Sequence, residues 1–240
     1  MAKISFQDFS AYYKLKKKKY VLSLNKITLE IPSESFFVVV GPSGSGKTTL
    51  LKAILGGVEL TDGLLIINGT SVENIKKKEA NISYLSQEYS LYPHMTVYEN
   101  VAFPLRRMRT DFQEIDLRVK TVLDYLKIDF LASRKPRQLS YGQMQRVAIA
   151  RALVKNPRIM LFDEPFSNLE PTLKNELRLT LKNIHQEFKP TIIYATHDLT
   201  DAFILGEKIA VLNGGELEAI GTKEEIENSD KAFVRSFLSR

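Results

Sequence analysis

The chain has 240 residues, of which 44% are hydrophobic and 26% are charged, and it contains no cysteine. This composition is that of an ordinary globular protein, and it excludes a disulfide framework, a cysteine-ligated zinc site and a disordered or fibrous chain. The sequence has neither a signal-peptide core nor the roughly 20 apolar residues of a membrane helix, so we expect neither an exported nor a membrane-spanning chain. The net charge of +6 is compatible with a nucleic-acid, anionic-lipid or polyphosphate partner, or with a merely basic soluble protein.

The first third of the sequence is typical of β-strands. Ile27, Leu29 and Ile31 alternate with polar residues, which indicates a strand with one buried face. The run from Phe36 to Val40 is continuously apolar, and it predicts a strand that is covered on both faces, as in a parallel sheet.

The middle of the sequence is typical of helices. Thr96 and Glu99 have the spacing of a capping box, and apolar residues recur on one helical face over residues 115–126. A second apolar stripe predicts a helix over residues 173–188. We expect His185 to lie off this stripe, in solvent.

Strands and helices alternate in the last third of the sequence. Short apolar runs at residues 159–162 and 191–195 predict two more buried strands. Residues 208–212 and 217–220 flank a glycine-rich turn and predict a hairpin, after which we expect two short helices.

A phosphate-binding loop of the pattern G-x-x-x-x-G-K-[ST] follows the first buried strand. Its glycines let backbone N–H groups approach phosphate oxygens, and the N-terminus of the following helix favours anions. Lys47 can reach the β- and γ-phosphates of a nucleotide, and the hydroxyl of Thr48 can bind Mg²⁺. The candidate nucleotide-binding residues of this loop are Gly41, Pro42, Ser43, Gly44, Ser45, Gly46, Lys47, Thr48 and Thr49.

Two other predicted strands end in polar residues. The strand at 159–162 is followed by Asp163 and Glu164, where one carboxylate suits Mg²⁺ and its acidic neighbour can polarise an attacking water. The strand at 191–195 leads to His197. If this strand is parallel to the others, His197 lies at the same edge of the sheet and can touch the γ-phosphate.

The start of another predicted helix has two interpretations. Ser140 and Gln143 have the spacing of a capping box. A small residue followed by Gly142 at a helix start also forms an anion site, and the local sequence fits both.

These elements predict an α/β fold with the parallel-sheet core of a P-loop nucleoside triphosphatase, an N-terminal antiparallel β subdomain and a helical subdomain. We expect a single domain over residues 1–240. The core and the antiparallel layer would occupy residues 1–87 and 156–240, and the helical subdomain residues 88–155.

Taken together and in this order, the motifs resemble those of the ATP-binding subunit of ABC transporters over nearly the whole chain. The matching segments are residues 41–48 (Walker A loop), Gln87 (Q-loop), 139–143 (LSGGQ signature), 159–164 (Walker B), 167–170 (D-loop) and His197 (switch histidine). The sequence departs from the family pattern at Tyr141, where the signature has a glycine, and at Glu170, where the D-loop usually has an aspartate.

The resemblance implies a role for each matching residue, with ATP and Mg²⁺ as the ligands. Glu164 would be the general base, and Lys47 and His197 would complete the catalytic group. The metal-binding residues would be Thr48, Gln87 and Asp163, with Gln87 also sensing the γ-phosphate. In a dimer, the residues that bind ATP held on the partner's Walker A loop would be Ser140, Gly142 and Gln143.

The family also implies an aromatic side chain that stacks on adenine. Tyr13 fits best, and Tyr12 and Tyr20 are the alternatives, because a lysine-rich stretch lengthens this loop.

The resemblance further implies an ATP-hydrolysing subunit that couples ATP-driven dimerisation to solute transport, peripheral at the cytoplasmic face of the cell membrane. Residues 91–105 and 196–202 resemble importer ATPases, especially those for carbohydrates, so we expect import of a carbohydrate or another small solute. Many of those ATPases carry a C-terminal OB-like domain, which we expect this chain to lack.

The expected partners are transmembrane permease subunits, a second ATPase subunit of the same or a different kind, and an extracytoplasmic solute-binding protein; nucleic acid is not expected. The alternatives are an ABC exporter subunit and a soluble ABC ATPase that acts on ribosomes or DNA.

Overall fold

The computed structural model describes residues 3–14, 20–58, 60–75, 81–167 and 169–239. Asn168, in the D-loop-like segment, lies outside these residues. The strands are β1 (Ile4–Lys14), β2 (Tyr20–Ile31), β3 (Phe36–Val40), β4 (Leu60–Ile67), β5 (Thr70–Ser71), β6 (Ile82–Leu85), β7 (Ile159–Asp163), β8 (Thr191–Thr196), β9 (Lys208–Asn213) and β10 (Glu216–Gly221). The α-helices are α1 (Lys47–Ile54), α2 (Val97–Arg107), α3 (Phe112–Tyr125), α4 (Tyr141–Leu153), α5 (Pro171–Phe188), α6 (Leu199–Leu205), α7 (Lys223–Glu227) and α8 (Ala232–Leu238).

The described strands form two sheets. The larger has the order β10-β9-β3-β8-β7-β6, in which β9, β3, β8, β7 and β6 are parallel and β10 is antiparallel to β9. The smaller has the order β2-β1-β4-β5 and is antiparallel. The parallel core, the antiparallel layer and the C-terminal hairpin all agree with the sequence-based expectation.

Strand β3 separates two hydrophobic cores. Phe36, Val38 and Val40 face a core shared with the helices α2 to α6, whereas Phe37 and Val39 face a core shared with α1 and the antiparallel sheet. Successive strand residues point to opposite faces, so a strand covered on both sides needs an uninterrupted apolar run. The continuous apolar run from Phe36 to Val40 therefore reflects the burial of both faces of β3.

The helices α2 and α4, between β6 and β7, begin where the sequence predicts caps. The backbone N–H of Glu99 donates to the Thr96 hydroxyl (3.1 Å), and the N–H of Thr96 donates to the Glu99 carboxylate (2.7 Å), which completes the capping box of α2. The apolar face predicted over residues 115–126 is buried in the larger core. None of the helices that the structure describes has both the length and the apolarity to span a bilayer.

The prediction that His185 lies in solvent is wrong. Its side chain is only 13% exposed, its Nε2 atom lies 3.0 Å from the carbonyl oxygen of Glu34, and its ring meets Phe36 edge-on. The last turn of α5 packs against the start of β3. Positions beside the apolar stripe are therefore covered by the edge of the sheet as well.

Candidate nucleotide site

The polar strand ends meet at one edge of the parallel sheet. Val40 of β3 pairs with Thr196 of β8, and Asp163 of β7 pairs with Ala195. Because these strands are parallel and in register, the loops that follow them lie side by side. They open onto a cleft of about 370 Å³ lined by Ser23, Ser43, Gly44, Ser45, Gly46, Lys47, Thr48, Thr49, Gln87, Asp163 and Glu164.

The glycines of the loop are required by close backbone contacts. A Cβ atom at Gly41 would overlap the carbonyl oxygen of Leu212. Gly46 has a φ of 104°, and a Cβ there would lie 2.9 Å from the carbonyl oxygen of Ser23. Only glycine adopts this conformation without strain, and Gly46 is the N-cap of α1. At Gly41 and Gly46 the loop therefore approaches neighbouring backbone more closely than a side chain would allow.

Lys47 lies in the middle of this loop with only 5% of its side chain exposed. Its ammonium donates to the carbonyl oxygens of Gly41 (2.8 Å) and Pro42 (3.0 Å) and lies 3.5 Å from the Glu164 carboxylate. Burial lowers the pKa of Lys47 below its usual value, and the charge of Glu164 opposes that effect. The ammonium is thus held at a fixed point beside the cleft.

Thr48 and Asp163 form a pair of oxygen ligands. The Thr48 hydroxyl donates to Oδ1 of Asp163 (3.0 Å), and the Tyr84 hydroxyl donates to Oδ2 (2.9 Å). Hydroxyl and carboxylate oxygens are the ligands that Mg²⁺ prefers, so this pair fits the metal. Burial and the neighbouring Asp163 raise the pKa of Tyr84, which keeps its hydroxyl a donor.

Glu164 lies between two other polar side chains. Its Oε2 atom is 3.0 Å from Nδ1 of His197, and its Oε1 atom faces Lys47. The backbone of Glu164 has a φ of 47°, and its N–H donates to the carbonyl oxygen of Ala195 (2.9 Å). A left-handed conformation at a non-glycine residue is costly, and here it directs the carboxylate into the cleft.

Gln87 lines the same cleft, and Tyr13 contacts Thr49, which also lines it. The Gln87 amide donates to the hydroxyl of Ser167 (3.2 Å), so in this structure it contacts the segment after β7 and not the Thr48–Asp163 pair. The hydroxyl of Thr49 donates to that of Tyr13 (3.4 Å), which places Tyr13 beside α1. Of the other two tyrosines considered for adenine, Tyr20 is half exposed at the start of β2.

The signature-like residues lie elsewhere. Ser140 caps α4, with its hydroxyl accepting from the N–H of Gln143 (3.3 Å) and its own N–H donating to the Gln143 side chain (3.0 Å). A Cβ at Gly142 would lie 2.5 Å from the Leu173 side chain. The described lining of the cleft includes none of these three predicted ATP-binding residues. The capping box therefore forms, and the chain does not bring the signature to its own phosphate loop.

Sequence reasoning missed Tyr84 and Ser23. Tyr84 lies in the short strand β6, where nothing in the local pattern separates it from a packing residue. The Ser23 hydroxyl lies 2.6 Å from that of Thr49. Tyr84 reaches the site through the pairing of β6 with β7, and Ser23 through the packing of β2 against the loop. Neither contact can be read from a single sequence.

Comparison with known proteins identifies the family. Residues 24–167, more than half of the chain, match the family described as ABC transporter. The chain belongs to the ABC transporter family. This confirms the resemblance read from the motifs.

Several relatives from this family have import functions in their names. The chain is 43% identical over 217 residues to the sn-glycerol-3-phosphate import ATP-binding protein UgpC of Psychromonas ingrahamii, covering 90% of this chain and 58% of that protein. It is 41% identical over 225 residues to the trehalose/maltose import ATP-binding protein MalK of Thermococcus litoralis, covering 91% and 60%. The lactose transport ATP-binding protein LacK of Rhizobium radiobacter is 43% identical over 213 residues, covering 88% and 59%. The chain thus spans about three fifths of the length of these relatives.

Solved structures of the family have the same fold. The dimeric structure of the bacterial ABC transporter cassette MJ0796 superimposes with a TM-score of 0.80 at 31% identity, covering 91% of this chain and 98% of that one. A second structure of the same cassette, in a post-hydrolysis state bound to ADP and phosphate, matches equally well. The predicted fold class is confirmed.

Proposed function

We propose that this chain binds and hydrolyses ATP and is the ATPase subunit of an ABC importer. The observation that carries the proposal is the convergence of Lys47, Thr48, Asp163 and Glu164 on one cleft at the carboxyl edge of the parallel sheet, with His197 in contact with Glu164. The names of the relatives support the nucleotide, and those of UgpC and MalK also support import.

The chemistry divides among the residues of the cleft. The Lys47 ammonium binds the β- and γ-phosphate oxygens, which compete with the Glu164 carboxylate for it. Glu164 takes a proton from the attacking water, and its contact with Lys47 on one oxygen and His197 on the other fixes its orientation. In this proposal His197, which contacts Glu164, also contacts the γ-phosphate.

Thr48 and Asp163 would hold Mg²⁺, with Gln87 joining after it leaves Ser167. Mg²⁺ held there would supply positive charge that offsets the charge of the phosphates. Tyr84 holds Oδ2 of Asp163 and leaves Oδ1 beside Thr48.

The assembly is a dimer of ATPase subunits on transmembrane permease subunits. Ser140 is exposed and Gln143 is partly exposed, and both lie outside the chain's own cleft. They are therefore available to ATP held by a second subunit, whereas Gly142 is buried against Leu173. A cassette of the same fold is dimeric. A groove of about 230 Å³ lies beside β6 and α2, and its lining includes the aromatic side chains of Tyr84, Tyr92 and Phe103. Such a lining can bind an apolar segment of a permease subunit.

The transported solute is a carbohydrate or another small solute, and a solute-binding protein outside the membrane completes the system. The proposed location is the cytoplasmic face of the membrane, as a peripheral subunit. Support for the solute class comes from the relatives, whose names specify glycerol phosphate and disaccharides.

Two measurements test this function. Purified chain should release phosphate from ATP only with Mg²⁺, and the Glu164→Gln variant should lose this activity. The tagged chain, solubilised in mild detergent, should co-purify with a polytopic membrane protein. Phosphate release equal in wild type and variant would reject the ATPase assignment, and co-purification with ribosomes or DNA would reject the importer assignment.

A further inference from the structure

A buried ionic network lies beneath the turn that carries His197. Asp201 of α6 is 2% exposed and Arg178 of α5 is 7% exposed. Nε of Arg178 donates to Oδ1 of Asp201 (2.7 Å), and its Nη2 atom donates to the same oxygen. The Tyr194 hydroxyl of β8 donates to Oδ2 (2.8 Å). Both oxygens of Asp201 therefore have partners, from the helix on one side and the strand on the other.

The same arginine reaches the residue that follows the histidine. Nη2 of Arg178 lies 3.8 Å from Oδ2 of Asp198, and the Lys174 ammonium donates to that oxygen (3.2 Å). The other oxygen of Asp198 caps α6 by accepting from the N–H of Thr200 (2.8 Å). Asp198 is thus held by two cations from α5 as well as by its own helix.

His197 has little packing of its own. Its side chain is 50% exposed, and its described polar contact is the one to Glu164. Its position therefore depends on its backbone, which runs from β8 into the cap of α6. An exposed ring stays within 3.0 Å of a carboxylate only if that backbone turn is held in place.

We propose that Arg178 is a positioning residue for His197, acting through Asp198 and Asp201 to hold the turn that keeps the imidazole against Glu164. Its planar guanidinium contacts two carboxylates at once, on both sides of the first turn of α6, which a lysine ammonium does not reproduce. This proposal rests on the proposed ATPase function, because the effect is read through hydrolysis.

The test is a double-mutant cycle between Arg178→Lys and His197→Ala. We expect Arg178→Lys alone to lower kcat roughly 10- to 100-fold, because small displacements of catalytic groups have effects of this size. Its Kd for ATP should stay within about threefold of wild type, since only the turnover step is affected. In the His197→Ala background the same change should leave kcat unaltered within about twofold, because the arginine acts through the missing ring.

Two more variants make the test specific. Asp198→Asn keeps a good N-cap for α6 but loses the charge that faces Arg178 and Lys174. Its effect on kcat should therefore also disappear in the His197→Ala background. This variant replaces Arg178→Lys in the test if Arg178→Lys does not fold. Glu176→Gln breaks an ion pair that α5 makes with Arg146, and it should leave kcat as in wild type.

The outcomes separate this proposal from the function on which it rests. If wild type hydrolyses ATP but Arg178→Lys and Asp198→Asn retain its kcat, the positioning role is rejected and the ATPase assignment stands. The proposal would also be rejected if the loss of kcat in each double mutant equalled the product of the two single-mutant losses, because such independence would indicate a general structural defect. A wild-type chain without ATPase activity would reject the proposed function itself.

Discussion

The ammonium of Lys47 lies 3.5 Å from Oε1 of Glu164 while it donates to two carbonyl oxygens of its own loop. In this arrangement the lysine offsets the charge of the carboxylate, and its ammonium can exchange this contact for one with a bound anion. In the proposed function a triphosphate at the loop would be that anion. Its binding would draw the ammonium toward the phosphates and free Glu164 to accept a proton. Binding and turnover should therefore be separable by substitutions at these two residues.

Replacing Glu164 with glutamine should stop turnover and spare binding. The amide has the shape of the carboxylate but does not accept a proton, and a general base contributes roughly 10²–10⁴-fold. We expect phosphate release to fall by this factor, with the ATP affinity by titration calorimetry close to that of wild type. The exposed Glu224→Gln is the control. A variant that loses ATP affinity instead would contradict the base role.

Replacing Lys47 with methionine should abolish ATP binding without unfolding the protein. Burial lowers the pKa of Lys47 in the folded state, so the charged side chain opposes folding at neutral pH. Methionine fills similar volume without a charge, and we expect the melting temperature to stay the same or rise. Full ATPase activity in the variant would contradict the phosphate-loop assignment.

The same substitution predicts a pH dependence. Between the lowered pKa of folded Lys47 and the usual value near 10.5, the unfolded chain binds more protons than the folded one, so this lysine makes stability rise with pH. The free energy of unfolding of wild type, relative to Lys47→Met, should therefore increase as the pH rises through this window. Urea titrations at several pH values measure the difference, and a relative decrease with pH would contradict the assigned direction.

The parts of the site that the sequence predicted are those encoded locally. The loop at 41–48 needs glycines at fixed spacing because each meets a backbone atom or has a left-handed φ, so the pattern itself displays the geometry. Asp163 and His197 follow continuous apolar runs, and parallel strands bring such ends together.

The parts that the sequence did not predict are long-range pairings. Tyr84 reaches Asp163 only because β6 and β7 are neighbours in the sheet, and nothing in the sequence links these two positions, which are 79 apart. The contact of Arg178 with Asp201 likewise depends on how α5 packs on α6. The burial of His185 likewise depends on the packing of the last turn of α5 against the start of β3.

Replacing Tyr141 with glycine should raise turnover in the assembled complex. The ring stands where the family has a glycine, is 44% exposed, and packs edge-on against Tyr89 (5.3 Å) at the start of α4. Removing it relieves crowding at the seam between two subunits, at a stability cost of about 0.5–1 kcal/mol for glycine in a helix. Steady-state ATPase assays of the complex measure the change, with Tyr141→Phe as the control that keeps the ring. An unchanged rate in Tyr141→Gly would mean that the ring does not obstruct the dimer.

Assembly gives the last prediction. The signature residues lie outside the chain's own cleft, so a complete site needs two subunits, and the γ-phosphate would contact both. The Glu164→Gln variant, which retains ATP, should shift toward dimer when ATP is added, as measured by light scattering. Adding Ser140→Arg should abolish this shift, because a long cationic side chain replaces the small residue that we propose faces the partner's nucleotide. ATP binding to the monomer should persist, since the altered residue lies away from its own phosphate loop.

The control for Ser140→Arg is Ser140→Ala in the same background. Both changes remove the hydroxyl that caps α4, at a cost of about 1 kcal/mol, but only arginine adds bulk and charge. Dimerisation should therefore survive in Ser140→Ala and fail in Ser140→Arg. Normal dimerisation of both variants would show that Ser140 serves α4 alone, as a helix cap, and that the partner's ATP is bound by other residues.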